Sequence, residues 1–528
     1  MSRFSWLSDF LARLKGEGVT VLPDGSGALT PARKLALDTG DWGTAGRAAA
    51  EHGLRWAGVW GDPVGERIIF KACLEHLGDY VVIETDAPLA SPALASHTPY
   101  FPAAGRLERH MRDMLGVVFI GHPDSRRWTR HQAWEEDDYP LRPGFPAAGR
   151  MPGRAPADAG YDFAPIRGSG VYEIPVGPVH AGVIEPGHFR FHAVGEDVLR
   201  LEERLGYVHK GIEKIAVGRG AAGLARLAGR VSGDSTVGHA WAACQAMERA
   251  AGVFVPPRAL HLRALMAERE RVANHMGDIG AICNDVAFTF AHMSLARLRE
   301  QWQRRSHALF GHRFMMDAVI PGGAARDIDS AAKMALRADH ETLRRTIEPI
   351  FDIIDDHPSL EDRLIGAGIL SAADARALGC TGYVGKASGQ GFDVRRDSPY
   401  APYDSLDTRV PVMTNGDVAA RVSIRMEEIR ASLDIMDHLL ESLPDGDTAA
   451  AWPVPASGAD GLGIIDGWRG EIITYVRFGE DGGVGRFFPR DPSWFTWPAL
   501  ERLIHGNIVP DFPVCNKSVN GSYSGHDL

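Results

Sequence analysis

The chain contains 528 residues, of which 45% are hydrophobic and 24% charged, and this composition predicts a folded protein of roughly two to four domains. Its formal net charge is −11 and it has no long Lys/Arg run, which argues against nucleic acid and favours proteins as partners. No apolar stretch approaches the roughly 20 residues of a membrane-spanning helix, and residues 1–14 lack the apolar centre of a secretory signal. We therefore expect a cytoplasmic location.

Short apolar runs separated by Gly and Pro mark the first part of the chain. Residues 54–60, 67–70 and 80–84 predict β-strands, and residues 106–118 predict a short amphipathic helix. Together they indicate a small α+β domain over residues 1–145. Residues 146–170 are rich in Pro, Gly, Ala and Arg, a composition that resists regular structure and predicts a linker.

Apolar residues at helical spacing dominate the rest of the chain, residues 171–528. One stripe predicts a helix, and its members are Val198, Leu201, Leu205, Val208, Ile212 and Ile215. Pro256 and Pro257 open a second helix that runs to Cys283, in which residues 268–271 (Glu-Arg-Glu-Arg) should mostly face water or a partner. A third stripe covers residues 422–440, and residues 471–478 predict a strand. The fold class is therefore α+β, a small α+β domain followed by a mainly α-helical bundle with small β-sheets.

The five cysteines lie far apart in the sequence and none forms a C-x-x-C pair. The chain alone therefore does not predict an iron–sulfur cluster or a structural zinc site. Four of the cysteines are expected to be buried reduced thiols, namely Cys73, Cys244, Cys283 and Cys380.

Residues 230–239 read Arg-Val-Ser-Gly-Asp-Ser-Thr-Val-Gly-His. They place Ser232 and Ser235 at the spacing of a cysteine pair in a metal site. The thiolates of such a pair bridge soft transition metals, whereas neutral serine hydroxyls cannot replace them as anionic ligands. The motif therefore predicts a site that has lost its metal chemistry.

Several separated motifs occur in the order found in two related families. Residues 107–124 and 139–142 resemble the 30-kDa subunit of respiratory complex I. Residues 177–191, 385–404 and 467–471 resemble its 49-kDa subunit and, more closely, the large subunit of energy-converting (group 4) nickel–iron hydrogenases. The resemblance implies a 30-kDa-like docking domain that is fused through the linker to a hydrogenase large-subunit/49-kDa-like domain.

The hydrogenase pattern is Arg-x-Cys-Gly-x-Cys-x-x-x-His with a second Cys-x-x-Cys near the end, and its four thiolates hold nickel and iron. Here Ser232 and Ser235 occupy the first pair of positions, and Cys515 and Ser518 are assigned to the second pair. Only one thiol of the four is left. The resemblance therefore implies vestigial ligand positions, and we expect no metal or other cofactor on this chain.

Other groups of the hydrogenase cleft are retained. Glu185 matches the glutamate that passes protons from the metal-bound cysteine, and His180 and His239 would continue a proton relay. Asp234 would form a polar floor between the two serines. Arg469 matches an arginine beside the iron's ligands and would here bind an anion, a carboxylate or water. We assign these five residues to a catalytic cleft.

Complex I binds a quinone headgroup in the equivalent cleft, with a histidine on a loop and a tyrosine on the first bundle helix. This sequence departs from that pattern, because Arg230 stands where the tyrosine would be and residues 177–191 follow the hydrogenase form. A quinone in a remodelled cleft stays open as an alternative.

The resemblance implies a peripheral-arm subunit of a membrane-bound, complex I-like oxidoreductase complex that couples electron or proton transfer at the cleft to ion translocation. The expected partners are an iron–sulfur small subunit like the 20-kDa subunit of complex I, which would carry the cluster, other peripheral-arm subunits and membrane antiporter-like subunits. The complex would sit on the cytoplasmic side of the cell membrane, with this chain as a peripheral component. Three alternatives stay open: a non-catalytic scaffold that joins the small subunit to the membrane arm, a quinone-site subunit of the NADH–quinone oxidoreductase type, and a hydrogenase with serine-modified ligation.

Overall fold

A five-stranded sheet and three helices form the N-terminal part of the computed structural model, which describes residues 4–131, 134–150, 161–180 and 184–528. The helices are α1 (Leu7–Gly16), α2 (Trp42–Glu51) and α3 (Gly105–Leu115). The strands are β1 (Val21–Leu29), β2 (Ala32–Leu37), β3 (Arg55–Val64), β4 (Arg67–His76), β5 (Asp79–Pro88), β6 (Ala93–Ala95) and β7 (Val118–Ile120). The main sheet has the order β1–β2–β5–β4–β3, with β2 and β5 parallel, and β6 pairs separately with β7.

The strands and the helix predicted in this part of the chain are confirmed. The β4–β5 hairpin turns at Leu77 and Gly78, both with positive φ (52° and 86°), which matches the twist of the flanking strands. Helix α3 ends at Leu115, three residues before the predicted end, because Gly116 adopts a left-handed conformation (φ 76°) and caps the helix.

The predicted linker lies only partly inside the described ranges, which omit residues 151–160. Residues 146–150 and 161–170 form no helix or strand. Tyr161 nevertheless accepts a hydrogen bond from Arg109 Nη2 at 2.7 Å, and the Ala164 amide donates to Glu202 Oε2 at 3.1 Å. The second half of the segment is thus attached to both α3 and the strand that contains Glu202.

The C-terminal part combines helices with three- and two-stranded sheets. Its strands are β8 (Val171–Val176), β9 (His188–Val194), β10 (Asp197–Arg204), β11 (Val319–Ile320), β12 (Gly323–Ala324), β13 (Asp460–Gly467), β14 (Gly470–Phe478) and β15 (Val484–Arg490). Its longer helices are α5 (Ala221–Ala228), α6 (Thr236–Ala251), α7 (Pro257–Asp285), α8 (Thr289–Phe310), α9 (Ser330–Asp355), α14 (Val418–Glu441), α15 (Ser493–Leu503) and α16 (Phe512–Val519). Its shorter helices are α4 (Ile212–Ala216), α10 (Pro358–Leu364), α11 (Ala372–Ala377), α12 (Gly382–Ala387), α13 (Val394–Asp397) and α17 (Tyr523–Asp527). None of the helices in the described ranges is long and apolar enough to cross a membrane.

The helix predicted from Val198 onward is wrong. Residues 197–204 form β10, which pairs antiparallel with β9, and only residues 212–216 are helical. The register shifts between Val198 and Arg200, so that Val198 and Leu201 are both buried although they are three residues apart. A β-bulge therefore produced the spacing of a helix within a strand.

The helices predicted from Pro257 and over residues 422–440 are confirmed as α7 and α14, and the strand over 471–478 as β14. The exposure predicted for residues 268–271 is wrong. All four side chains are buried, between 0% and 6% exposed. The reason is that α7 runs through the middle of the domain, where each of these groups finds a polar partner. Glu268 pairs with Arg395 and Arg271 with Glu428. Arg269 donates to Ser306 and to the Trp302 carbonyl, and Glu270 accepts from the amides of Val237 and Gly238.

The two predicted domains share one continuous hydrophobic core and a buried polar interface. Glu471 of β14 accepts hydrogen bonds from Arg55 of β3, Tyr80 of β5 and Arg490 of β15. Although burial opposes ionisation, the two guanidinium groups lower the pKa of Glu471 to about 2. A second pair joins Arg477 Nε to Asp62 Oδ2 at 2.6 Å. The N-terminal sheet is therefore held directly against the β13–β15 sheet.

Candidate functional site

A cleft of about 360 Å³ opens where three distant parts of the chain meet. These parts are residues 232–234 just before α6, the turn between β13 and β14, and the C-terminal segment 516–524. Exposed Glu185, from the loop before β9, also lines it. Most of the lining side chains carry hydroxyl, amide or charged groups, so the cleft is suited to a small ligand that forms hydrogen bonds.

An ion pair between Asp234 and Arg469 lies at the inner side of the cleft. Arg469 Nη1 is 2.8 Å from Asp234 Oδ1, and Nη2 is 2.6 Å from Oδ2. The remaining donors bind Ser235 Oγ (3.2 Å) and the Asn520 carbonyl (2.7 Å). The Arg469 side chain is 5% exposed and that of Asp234 is 33% exposed. Burial would raise the pKa of Asp234, but the Arg469 guanidinium outweighs it and lowers that pKa, so the pair is ionised.

Ser232 joins this ion pair to the C-terminal segment. Its hydroxyl donates to Asp234 Oδ1 at 2.7 Å and lies 2.8 Å from Ser522 Oγ. Because a hydroxyl has a single proton, Ser522 is the donor in the second hydrogen bond. Sequence reasoning missed Ser522. The signal was present, since Ser522 and Gly525 have the same two-residue gap as Ser232 and Ser235.

Gly525 leaves room for a carboxylate behind the cleft. A Cβ atom at this position would lie 2.7 Å from Asp491 Cγ. Asp491 Oδ2 is 2.8 Å from His239 Nε2, and both side chains are fully buried. Although burial opposes it, the hydrogen bond and charge of His239 lower the pKa of Asp491. His239 was predicted to line the cleft, and the structure instead places it behind the cleft in this pair.

Cys515 and Ser518, assigned to the second ligand pair, do not meet the first pair of positions. The Ser518 hydroxyl accepts from Arg421 Nε at 2.9 Å and donates to the Cys515 carbonyl at 2.7 Å. Burial raises the pKa of Cys515 to about 12. The assignment is corrected because both residues lie on α16 toward Arg421, whereas Ser522, one loop later, faces Ser232.

Glu185 and His180 lie on the same loop but in different surroundings. Glu185 Oε2 accepts from the Ser524 amide at 3.0 Å and lines the cleft as predicted. His180 Nε2 lies 2.9 Å from the Gly187 carbonyl, and its ring is 5.8 Å from that of Phe189. His180 therefore closes the loop on itself and does not line the cleft. Residues 181–183, between the two, lie outside the described ranges.

Arg230 takes no part in the cleft. Its Nη2 atom donates to Asp317 Oδ2 at 2.9 Å, and both side chains are 42% exposed. The side chain at the position assigned to the quinone-binding tyrosine thus points to the surface.

Helix α7 fixes the turn between β13 and β14, which carries Arg469. Arg271 donates to the carbonyls of Asp466 (2.8 Å) and Gly467 (2.9 Å). Trp468 then donates from Nε1 to the Asp234 carbonyl at 2.9 Å, and the Arg469 guanidinium lies 4.0 Å from the Trp468 ring centroid. The position of Arg469 in the cleft therefore depends on buried Arg271.

Three families match separate parts of the chain. Residues 62–151 match "Respiratory-chain NADH dehydrogenase, 30 Kd subunit", residues 285–457 match "Respiratory-chain NADH dehydrogenase, 49 Kd subunit", and residues 210–277 match "Nickel-dependent hydrogenase". Formate hydrogenlyase subunit 5 of Escherichia coli (strain K12) is 30% identical over 450 residues, which cover 85% of this chain and 79% of that protein. The chain belongs to the family of complex I and energy-converting hydrogenase subunits.

Two further relatives also match most of the chain. The C/D subunit of NADH-quinone oxidoreductase from Bacteroides fragilis is 29% identical over 493 residues, covering 89% of this chain and 90% of that protein. A solved structure, "Structure of the membrane-bound sulfane sulfur reductase (MBS), an archaeal respiratory membrane complex", is 26% identical with a TM-score of 0.65, covering 69% of this chain and 100% of that one. The resemblance found in the motifs and the α+β fold class are confirmed.

The family matches cover only part of the cleft. The hydrogenase match includes Ser232, Asp234, Ser235 and His239, whereas the segment with Glu185 and the C-terminal segment with Ser522 lie outside all three matches. Glu185 was predicted from the resemblance of a separate motif, whereas Ser522 was located by the geometry of the fold alone.

Proposed function

We propose that this chain is a peripheral-arm subunit of a membrane-associated oxidoreductase complex related to complex I and energy-converting hydrogenases. Relatives that cover most of the chain are named as subunits of formate hydrogenlyase and of NADH-quinone oxidoreductase, and a structural relative belongs to a respiratory membrane complex. In this proposal, the cleft carries out a proton-linked step, and membrane partners use it to move ions.

The observation that carries the proposal for the cleft is its interior of hydroxyls and an ion pair. Ser232, Ser235 and Ser522 are neutral hydroxyls that are already engaged with Asp234, Arg469 and one another. Nickel and iron of the hydrogenase type need soft anionic thiolates, and these residues supply none. The donor set therefore does not fit a nickel–iron centre, and we propose chemistry without one.

Electrons would reach the cleft from an iron–sulfur cluster on a partner like the 20-kDa subunit of complex I. Other peripheral-arm subunits and antiporter-like membrane subunits would complete the assembly on the cytoplasmic side of the cell membrane. Such a location is supported by the respiratory membrane complex of the structural relative and by the match of residues 62–151 to the 30-kDa subunit.

Two groups of the cleft have distinct roles in this proposal. Exposed Glu185 exchanges a proton between solvent and the cleft, since a carboxylate can cycle between its charged and neutral forms. The Asp234–Arg469 pair orients a small polar ligand through the exposed third of Asp234. A quinone headgroup is a second occupant to be tested, although few apolar side chains line this cleft.

The test uses the purified complex with Glu185→Gln and, separately, Lys517→Gln, both in the cleft lining. The proton-carrier role predicts that Glu185→Gln lowers turnover at least about tenfold, because general acid–base groups contribute roughly this much or more. Lys517→Gln controls for a change in the cleft lining that leaves the proton carrier intact. Unchanged turnover in both variants, with normal assembly, would favour the scaffold alternative.

The nature of the reaction is tested separately. Elemental analysis of the complex should find no stoichiometric nickel, and stoichiometric nickel would support serine-modified hydrogenase ligation instead. Hydrogen evolution, quinone reduction and sulfane sulfur reduction are assayed side by side with a chemical electron donor. Inhibition by quinone-site ligands would favour the quinone-site alternative.

A further inference from the structure

A closed cluster of charged side chains lies beneath the turn that carries Arg469. All its members are at most 2% exposed. Its carboxylates are Glu268, Asp393, Glu428 and Asp466, and its permanent cations are Arg271, Lys386 and Arg395. His275 is attached through a 2.6 Å hydrogen bond from Nε2 to Glu428.

The cluster holds one carboxylate more than it has cations, four against three. An uncompensated buried charge is expensive, and a protein relieves it by binding a proton instead. The cluster therefore needs one extra proton, and only a carboxyl group or His275 can hold it.

Three of the carboxylates are strongly held in their charged form. Lys386 lies 2.6 Å from both Asp393 and Glu428, and Arg395 lies 2.8 Å from Asp393 and 3.0 Å from Glu268. Glu268 also accepts from two hydroxyl groups. Although burial opposes ionisation, these cations and hydrogen bonds lower the pKa of all three.

Asp466 has the weakest support for a negative charge. Oδ2 accepts one hydrogen bond, from the Val394 amide at 3.0 Å, and Oδ1 makes none to a described residue. The nearest cation is Arg271, whose Nη1 is 3.9 Å from Oδ1. Burial and the charge of Asp393 raise the pKa of Asp466 to about 7, against the cations Lys386, Arg271 and Arg395. Burial also lowers the pKa of His275 despite its bond to Glu428, so the histidine does not compete.

The same residue connects the cluster to the cleft. Asp466 is the penultimate residue of β13, and the turn between Gly467 and Gly470 follows it. Arg271 holds the carbonyls of Asp466 and Gly467 and at the same time faces Asp466 Oδ1. If Asp466 becomes charged, its attraction for Arg271 grows and competes with the two carbonyl hydrogen bonds. Those bonds position Trp468 and Arg469 at the cleft.

We propose that Asp466 is a neutral carboxylic acid in the folded protein in mildly acidic solution, and that release of its proton as the pH rises through neutrality draws Arg271 away from the turn that holds Arg469 in the cleft. Asp466 is thus a positioning residue, because its protonation state changes how firmly Arg469 is held beside Asp234. Its use during turnover rests on the proposed function, whereas the protonation state itself does not.

Infrared spectroscopy of the full chain tests the protonation state, because a neutral carboxyl group absorbs apart from carboxylate. Between about pH 5 and about pH 9, the wild type should lose a neutral-acid component near the middle of the range, and Asp466→Asn should lack that component. Glu270→Gln is the matched control. Burial raises the pKa of Glu270 to about 8, so Glu270→Gln should remove a separate neutral-acid component and leave the component of Asp466 unchanged.

A second variant keeps the proposal testable if Asp466→Asn does not fold. Glu428→Gln removes the surplus negative charge, so the component assigned to Asp466 should titrate at least about one pH unit lower. An unchanged neutral-acid titration in Asp466→Asn, or in Glu428→Gln, would overturn the protonation assignment.

Hydrogen exchange tests the link to the cleft. In the wild type, amide exchange of residues 467–471, corrected for intrinsic chemistry, should rise several-fold as Asp466 ionises. In Asp466→Asn, it should stay at the low-pH value. Equal pH dependence in the two proteins would overturn the link. Neither measurement requires turnover, so their failure is distinguishable from failure of the proposed function.

Discussion

Substitution of Asp234 by asparagine removes the charge opposite Arg469 with almost no change in shape. Arg469 then keeps its bonds to Ser235 and Asn520 but loses both bonds to a carboxylate. Because its side chain is only 5% exposed, solvent cannot replace that partner fully. We expect the C-terminal segment, which this pair anchors, to open more often.

The magnitude follows from the burial of the two partners. Removal of one member of a fully buried pair costs about 3–5 kcal/mol, because the other charge is left uncompensated. Here the Asp234 side chain is 33% exposed. Water enters on that side, and we therefore expect about 2 kcal/mol for Asp234→Asn, or about a 30-fold change in an opening equilibrium.

The assay is hydrogen–deuterium exchange of the amides in α16 and α17 under native conditions, which reports local opening without global unfolding. A double-mutant cycle with Arg469→Gln separates the pair from its surroundings. The double variant should be about 2 kcal/mol more stable than the sum of the single effects predicts. Glu300 and Arg304 form a matched exposed pair (51% and 78%), whose cycle should give about 0.3–0.5 kcal/mol.

Two results would refute this reasoning. The first is an Asp234→Asn exchange rate within about twofold of the wild type, since the pair would then contribute no more than a surface pair. The second is strict additivity in the cycle, because two residues that do not interact show no coupling energy.

Three buried positions give further predictions. Gly525→Ala should destabilise the chain by about 1–3 kcal/mol in denaturant titration, because the new Cβ would lie 2.7 Å from Asp491 Cγ. Glu471→Gln should weaken the interface between the two sheets and make the free energy of unfolding depend less on pH in acidic solution. The pKa of Glu471 is lowered to about 2, so its contribution to stability is present above about pH 4.5 and is lost as the pH falls toward about 2. Cys515 should resist alkylation in the native protein at mildly alkaline pH and react after denaturation, because burial raises its pKa to about 12.

Each of these predictions has a control within the chain. Gly40→Ala meets no atom within 4 Å and should be close to neutral, so equal effects at both glycines would contradict the steric argument. Glu480 is exposed, and Glu480→Gln should leave the pH dependence of the free energy of unfolding in acidic solution unchanged. If the wild type and Glu471→Gln show the same pH dependence of stability in acidic solution, Glu471 does not contribute to that dependence. Rapid alkylation of native Cys515, read by peptide mass spectrometry, would contradict its burial.

Local patterns predicted much of the fold correctly. Helix α7 begins at Pro257, and α3 and the β4–β5 hairpin appear where apolar spacing and turn residues indicate them. These elements are determined by neighbours in the sequence, so a single sequence carries the signal. The stripe from Val198 failed because a bulge in β10 is a property of its pairing with β9, and no local pattern contains the partner strand.

The charges of α7 show a second limit of the sequence. Glu268 and Arg271 look like residues of a solvated helix face, yet their partners Arg395 and Glu428 lie more than a hundred residues away. Charged residues are ordinarily exposed, and only the packing of α7 against α14, with the ion pair between Glu268 and Arg395 of α13, makes them interior. The excess of one carboxylate over the cations in that buried cluster likewise becomes apparent only when the fold brings its residues together.

The sequence by itself determined the family motifs and the replacement of a cysteine pair by Ser232 and Ser235, since both are read directly from residue order. It also placed Glu185, Asp234 and Arg469 in one cleft through the family resemblance. Only the tertiary structure decided that Ser522 rather than Ser518 meets Ser232, and that His239 pairs with Asp491 behind the cleft. The physical reason is that a hydrogen bond requires two atoms to lie within about 3 Å, and chain folding sets that distance between segments hundreds of residues apart.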